Sequence, residues 1–167
     1  MSGRRLAQSM EYELDDIDRK LLNLLQENAR YTALDLAEAV GVSDNTIHNR
    51  MERLEEAGVI TGYTTTIDHE PTGLALYFHF TCTAAISDRS EVASQAATIP
   101  QVLEVVELMT GQKNLQLKAV GAEDEDITRI AEQLDDLRLE INNENLIRVE
   151  RRLPLDFLKA GGQPDET

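Results

Sequence analysis

A single cysteine, Cys82, stands in a chain of 167 residues, which excludes an intrachain disulfide and points to a reducing compartment. Cys82 alternates with Phe78 and Phe80, so a buried, inert thiol on a strand is expected rather than a reactive one. Long apolar runs are also missing, and none approaches the length that spans a bilayer. The first ten residues contain no apolar signal core, so the expectation is a cytoplasmic protein without membrane contact. No phosphate-cradling glycine loop, nucleophile elbow or helical His/Glu metal pair occurs. His48, His69 and His79 fall in three separate elements, the latter two in a linker turn and on a sheet face. No enzymatic activity, catalytic residue, metal or cofactor is therefore expected. The acids of residues 121–126 read as a solvated helix start that complements the helix dipole.

Positive charge is scarce. Sixteen Lys+Arg face 31 Asp+Glu, a net charge of −15, and only four of the basic residues are lysines (Lys20, Lys113, Lys118, Lys159). Residues 1–63 hold 7 basic against 12 acidic side chains, a balance of −5; residues 64–167 hold 9 against 19, a balance of −10. Acid-rich, lysine-poor composition suits a cytoplasm full of salt, where carboxylates stay hydrated and repulsion is screened. A halophilic source is the expected explanation.

Against that background, Thr32–Ala57 carries the strongest local pattern: two short helices joined by a tight turn. Thr32 caps the first, with Asp35 completing a weak capping box, and Gly41 supplies the left-handed residue that ends it. Ser43 caps the second and Gly58 terminates it. Leu36, Ala37 and Val40 form one apolar stripe, and Ile47, Met51 and Leu54 another. Ala37 is small where the helices would cross. A preceding helix over Leu14–Gln26 places Leu14, Ile17, Leu21, Leu24 and Leu25 on one face, with Asp15, Asp16 and Asp18 in its first turn. Such a three-helix unit presents its last helix to the DNA major groove. Val59–Tyr63 reads as a short strand leading out of the domain.

Residues 75–153 follow the order strand, helix, strand, strand, helix, strand. Leu76–Ala84 alternates and is rich in β-formers. Ser87 or Asp88 starts a helix through Ala97, which Pro100 bars from continuing. Val102–Leu108 and Leu115–Val120 are strands flanking a turn at Gly111. Asp124 starts a helix whose Ile127, Ile130, Ala131, Leu134 and Leu137 share a face, and Leu146–Arg151 is the expected last strand. The fold class is therefore α+β: a winged-helix-like helix-turn-helix domain over 1–63, a linker over 64–74, a ferredoxin-like βαββαβ domain over 75–153 and a tail over 154–167, disordered from Gly161. The uncovered sheet face calls for a partner, with a second sheet the usual solution, so dimerisation is expected.

Three stretches together resemble the Lrp/AsnC-type transcription regulators, of a haloarchaeal kind: Leu14–Leu22, Leu36–Ser43 and Arg50–Tyr63. The resemblance continues through Asp68, Gly73 and Leu74 and covers roughly Leu14–Leu153. It implies double-stranded DNA and the chain itself as partners, in a dimer or a higher-order assembly such as an octamer. It also implies a small-molecule effector, commonly an amino acid, held between dimers by the RAM/ACT-like second domain. The residues expected to contact DNA are Ser43, Asn45, Thr46, His48, Asn49, Arg50 and Arg53, with Arg4 and Arg5 on an N-terminal arm. Asn pairs with adenine through two hydrogen bonds; Arg does so with guanine or grips phosphate. Arg53, late in its helix, suits a phosphate or a partner in Glu52 or Glu56.

The family's effector turn joins the second and third strands of that domain and has Gly followed three residues later by Asp. Here it reads Thr110, Gly111, Gln112, Lys113, Asn114, so a neutral amide replaces the carboxylate that would pair with an ammonium group. Lys113 could meet a carboxylate instead. A purely structural hairpin is the competing reading of this turn. Two other functions fit the chain: a metabolite-binding module without DNA binding, and an architectural protein that coats DNA without sequence preference.

Overall fold

The computed structural model describes residues 12–160 and divides the chain into two units, residues up to 65 together with 152 onward, and residues 66–151. The first unit contains three helices, α1 (Asp16–Glu27), α2 (Ala33–Val40) and α3 (Asp44–Glu56). Each begins with a side-chain cap that satisfies backbone N–H groups the helix itself cannot. Asp15 and Asp18 form a reciprocal capping box on α1, and Thr32 and Asp35 do so on α2. Gly41 ends α2 at φ 84°, where a Cβ would be strained, and the chain turns directly into Ser43, whose hydroxyl accepts the Thr46 N–H at 3.2 Å. Leu21, Leu22, Leu36, Ala37, Ile47 and Leu54 make the buried centre of this unit.

Two expectations for this part are corrected. Val59–Tyr63 is not a strand: Val59 and Ile60 tuck against the helical core, and the following residues run without a ladder partner. A strand without a neighbour leaves its backbone groups unpaired, so β-propensity alone does not make one. Nor are residues 154–160 a loose tail. They end in a short helix, α6 (Phe157–Ala160), and Phe157 packs against the helical core, so the chain returns to its first unit. Arg4, Arg5 and Gly161–Thr167 lie outside the described residues.

The second unit opens with a 3-10 turn at Glu70–Thr72, preceded by His69, whose backbone N–H donates to the Tyr77 hydroxyl at 3.1 Å. It then forms β1 (Leu76–Thr83), α4 (Arg89–Ala96), β2 (Val102–Glu107), β3 (Leu115–Gly121), α5 (Asp124–Asp136) and β4 (Glu140–Leu146). The sheet order is β2-β3-β1-β4, with every neighbouring pair antiparallel. This is the expected βαββαβ arrangement. Phe78, Phe80 and Cys82 of β1 and Leu115, Leu117 and Ala119 of β3 face one side, packed with Ala93 and Ala96 of α4 and Ile130 and Leu134 of α5.

The last strand lies six residues earlier than the sequence pattern suggests, at 140–146 instead of 146–151. Ile147 and Val149 carry the β-branched alternation, whereas Asn142, Asn143 and Asn145 are poor strand formers. Topology overrides propensity here. Arg138 adopts a left-handed conformation (φ 62°), Leu139 is buried, and the chain enters the sheet at once, with Ile141 opposite Cys82.

The opposite face of the sheet mixes polar and apolar side chains. His79 of β1 sits across from Lys118 of β3, and together with Glu104, Val106, Gln116 and Glu150 they line a recess of about 180 Å³. Lys118 is only 8% exposed; its ammonium pairs with Glu150 and stands 5.5 Å from the centre of the Tyr77 ring.

Candidate DNA-reading helix and effector turn

α3 is amphipathic. Ile47 and Leu54 point into the helical core, and Met51 packs against it. On the other side, Asn45, His48, Asn49 and Glu52 are all exposed. Their spacing of three, four and seven residues puts them on a single ridge. The ridge offers amide donors and acceptors, an imidazole and one carboxylate, the groups that address base edges. It carries no lysine, and exposed Arg53, four residues after Asn49, flanks it.

The other expected contact residues lie around this ridge in different roles. Ser43 and Thr46 face each other at 2.9 Å between hydroxyls, forming the helix cap at the positive end of the helix dipole. Arg53 is exposed, with its guanidinium carbon 5.8 Å from the centre of the Tyr12 ring, and it bonds neither Glu52 nor Glu56. Arg50 departs from expectation. It turns towards α1, where its Nη1 donates to both Asp15 and Asp18, the latter at 3.1 Å.

Asp18 is 1% exposed, a carboxylate inside the helical core. A buried charge without a partner is strongly unfavourable, and Arg50 supplies that partner. The remaining donors to Asp18 are weaker: the Tyr12 hydroxyl and the Asp15 N–H, each at 3.3 Å. Slight burial would raise the Asp15 pKa, but the Asp18 N–H and the Arg50 guanidinium outweigh it and hold the carboxyl below 3.8. Arg50 is thus a strut between α1 and α3. The sequence signal was available: Asp18 shares its helix face with Leu21, Leu22 and Leu25, although its place in the first turn suggested a dipole role.

The turn between β2 and β3 divides similarly. Thr110, Gly111, Gln112 and Lys113 are exposed, with Gly111 at φ 95°. Asn114 is not available to a ligand. It is 3% exposed, its amide donates to the Ala84 carbonyl and its carbonyl accepts the Ala84 N–H, both at 2.9 Å. The β1–β3 ladder ends at Cys82–Leu115, and the Asn114 side chain continues it by satisfying the backbone of Ala84. A carboxylate at 114 could accept the N–H but has no proton for the carbonyl. Replacement of the family's Asp by Asn is thereby explained as a structural clasp, which corrects the expectation of a ligand contact at 114. Lys113 donates to the Asn143 side-chain carbonyl of β4 at 3.2 Å. Two large apolar side chains, Ile86 after β1 and Met109 after β2, are 84% and 93% exposed at this same end of the sheet.

Cys82 is fully buried, and burial pushes its thiol up to about 11. Among the described residues, no helix is long and apolar enough to cross a membrane.

Residues 14–61 match the family model for winged helix-turn-helix DNA-binding domains. Over 109 residues the chain is 33% identical to the HTH-type transcriptional regulator FL11 of Pyrococcus horikoshii, an overlap of 65% of this chain and 72% of that protein. It is 36% identical over 120 residues to the HTH-type transcriptional regulator AldR of Mycolicibacterium smegmatis, covering 70% of each. A transcriptional regulator of Neisseria meningitidis, solved as an L-Met complex, superposes with a TM-score of 0.75 at 25% identity, over 86% of this chain and 96% of that one. The leucine response regulatory protein LrpA of Mycobacterium tuberculosis shares the fold, with a TM-score of 0.72 at 23% identity over 85% of this chain and 100% of its own. The chain therefore belongs to the Lrp/AsnC family of helix-turn-helix proteins and is a DNA-binding transcription regulator.

Proposed function

We propose that this regulator is sequence-specific and reads base edges of duplex DNA with Asn45, His48 and Asn49. Ser43 and Arg53 lie beside that ridge and contact the flanking phosphates; Thr46 supports the cap, and Arg50 holds the helix in place. The observation that carries the reading is the exposed polar ridge of α3 opposite an apolar one packed into the helical core. Because Arg50 is turned to Asp15 and Asp18 and leaves Arg53 as the exposed cation of α3, base contacts and shape, more than counterion release, supply the affinity. This suits an acidic protein working in a salt-rich cytoplasm, the halophilic setting its composition favours.

The regulator acts as a dimer or larger assembly. The half-exposed sheet face around His79 and the protruding Ile86 and Met109 are the surfaces that support this, since large exposed apolar side chains favour association. Two reading heads then address half-sites about 34 Å or a multiple apart. A small metabolite bound between copies at Thr110–Lys113 sets DNA affinity through its differential affinity for two states. With Asn114 committed to Ala84, Lys113, which donates to Asn143, is the exposed charged group of the turn, so a carboxylate-bearing ligand fits best.

The test is selection of bound duplexes from a random pool, repeated at low and molar potassium chloride. Recovery of a shared half-site motif, with affinity declining only shallowly with salt, supports the reading. Continuous cover without a motif would mean an architectural protein, and absence of binding a metabolite module; either overturns it.

A further inference from the structure

A cation sits almost inside the sheet unit. Lys118 stands in the middle of β3 with a side chain only 9% exposed, a depth that lysine rarely reaches unless it is paired. It belongs to a row that crosses all four strands: Glu104 of β2, Lys118 of β3, His79 of β1 and Asn145 of β4 stand opposite one another in turn. Gln116, two residues before Lys118, shares its face, and Val106 and Ile147 add apolar surface beside the row. The recess next to Lys118, about 180 Å³, is smaller than the roughly 300 Å³ at which drug-sized pockets begin, so it suits a molecule of a few carbons.

A carboxylate that meets Lys118 comes from outside the sheet. Glu150 lies four residues beyond the end of β4, on exposed backbone outside any strand, and its carboxylate accepts from the Lys118 ammonium. The Glu150 side chain stays 42% exposed while the ammonium it caps is nine-tenths buried. The cation is thus built into the sheet, and this partner is laid on from the solvent side. A buried ammonium needs a carboxylate, and any carboxylate that reaches it satisfies the same requirement. Exchanging Glu150 for one free carboxylate leaves the charge of the recess unchanged. A dicarboxylate would add a negative charge beside Glu104, and a neutral molecule would not replace the lost ion pair.

We propose that the recess on the open face of the sheet binds a short-chain monocarboxylate, with Lys118 as its cation and Glu150 as the internal carboxylate that it displaces. The ligand carboxylate takes the charge-assisted bond to the Lys118 ammonium, and the His79 imidazole and the Gln116 amide line the recess beside it as neutral hydrogen-bonding groups. The alkyl body lies against Val106 and Ile147. Glu150 turns out into solvent, where more than a third of its side chain already is. An internal carboxylate seated about nine-tenths of the time weakens the apparent affinity for a free one about tenfold. The site lies within residues 66–151, away from the β2–β3 turn, and rests neither on DNA reading nor on a ligand at that turn.

Isotopic labelling of lysine amides in the full-length protein tests the site by NMR, because the chain holds only four lysines, Lys20, Lys113, Lys118 and Lys159. The signal missing from Lys118→Met assigns the reporter. Sodium chloride is exchanged for sodium butyrate at fixed ionic strength and fixed protein concentration. The Lys118 amide of wild type should shift saturably in the millimolar range, while those of Lys20 and Lys159 stay in place. Butyramide, which keeps the shape and loses the charge, and succinate, which adds a charge, should both act at least about tenfold more weakly. Glu150→Ala truncates a solvent-facing side chain and should tighten butyrate binding about tenfold. Absence of a saturable shift at Lys118 in wild type overturns the site, and an equal response to butyramide overturns the carboxylate assignment. Unchanged or weaker butyrate affinity in Glu150→Ala refutes displacement. A shift at Lys113 with none at Lys118 puts the ligand in the β2–β3 turn, which overturns this site and leaves the reading of the turn standing. A response to L-2-aminobutyrate without one to butyrate means that an ammonium group is required, and overturns the proposed class of ligand.

Discussion

Arg50→Ala is the substitution that most sharply separates a strut from a DNA contact. Asp18 is 1% exposed and keeps only two donors, each at 3.3 Å, once the guanidinium is removed. Breaking a fully buried ion pair costs about 3–5 kcal/mol, because the remaining charge has no partner. Solvent reaches this one partly, since the Arg50 and Asp15 side chains are 21% and 48% exposed, which brings the expected loss to about 2–3 kcal/mol. For a unit of this size that corresponds to a fall in Tm of roughly 10–20 °C. Circular dichroism at 222 nm, which the helical unit dominates, is the assay.

The pH dependence follows the same contact. Folding depresses the Asp15 pKa below 3.8, so its stabilisation is complete above that value and disappears as pH falls through the lower folded value. Arg50→Ala should therefore make the acid limb of the wild-type stability curve shallower, while the Asp18 N–H keeps part of the depression. Paired replacement, Asp18→Leu with Arg50→Met, should recover most of the lost stability, because two apolar groups leave no orphan charge. If Arg50→Ala keeps its Tm within about 2 °C, well inside one kcal/mol, yet abolishes DNA binding, the strut assignment is wrong.

Other substitutions probe the sheet unit. Asn114→Ala should cost about 2 kcal/mol in urea unfolding by orphaning the Ala84 N–H and carbonyl, whereas a residue that merely touched a ligand would leave stability unchanged. Gly121→Ala places a Cβ 2.7 Å from the Asp126 Cβ and 3.3 Å from the Phe78 ring, so a loss of about 1–3 kcal/mol is expected; wild-type stability would show that the start of α5 gives way freely. Cys82, buried with its thiol raised to about 11, should react with an aromatic disulfide reagent at pH 8 only as fast as the unit unfolds. Rapid modification of folded protein would refute its place in the core.

Much of the fold is written locally. The Thr32/Asp35 and Ser43 caps and the left-handed Gly41 bound their helices in both sequence and structure, since each acts within four residues of itself. The apolar spacing of Ile127, Ile130, Leu134 and Leu137 likewise identifies the buried side of α5. What could not be read was non-local. The amides of Asn23 and Gln26 look like ordinary solvated helix positions until residues 155–157 arrive from more than 120 residues away. Asn114 reads as a lost carboxylate because its partner, Ala84, is a backbone group 30 residues upstream with no sequence signature. Arg50 and Asp18 pair across 32 residues, so each alone suggested a different role. β4 escaped because its asparagines are recruited by the edge of β1 against their own preference.

Binding of the selected duplex by Asn45→Ala/His48→Ala/Asn49→Ala, followed by fluorescence anisotropy against wild type, tests the central assignment most directly. All three side chains are exposed, so folding should be unaffected within about 0.5 kcal/mol. Each lost base contact is worth about 1–3 kcal/mol of discrimination, so the variant should lose at least about 100-fold of its preference for the selected site over a scrambled one. A variant that discriminates between the two duplexes as well as wild type would contradict the account.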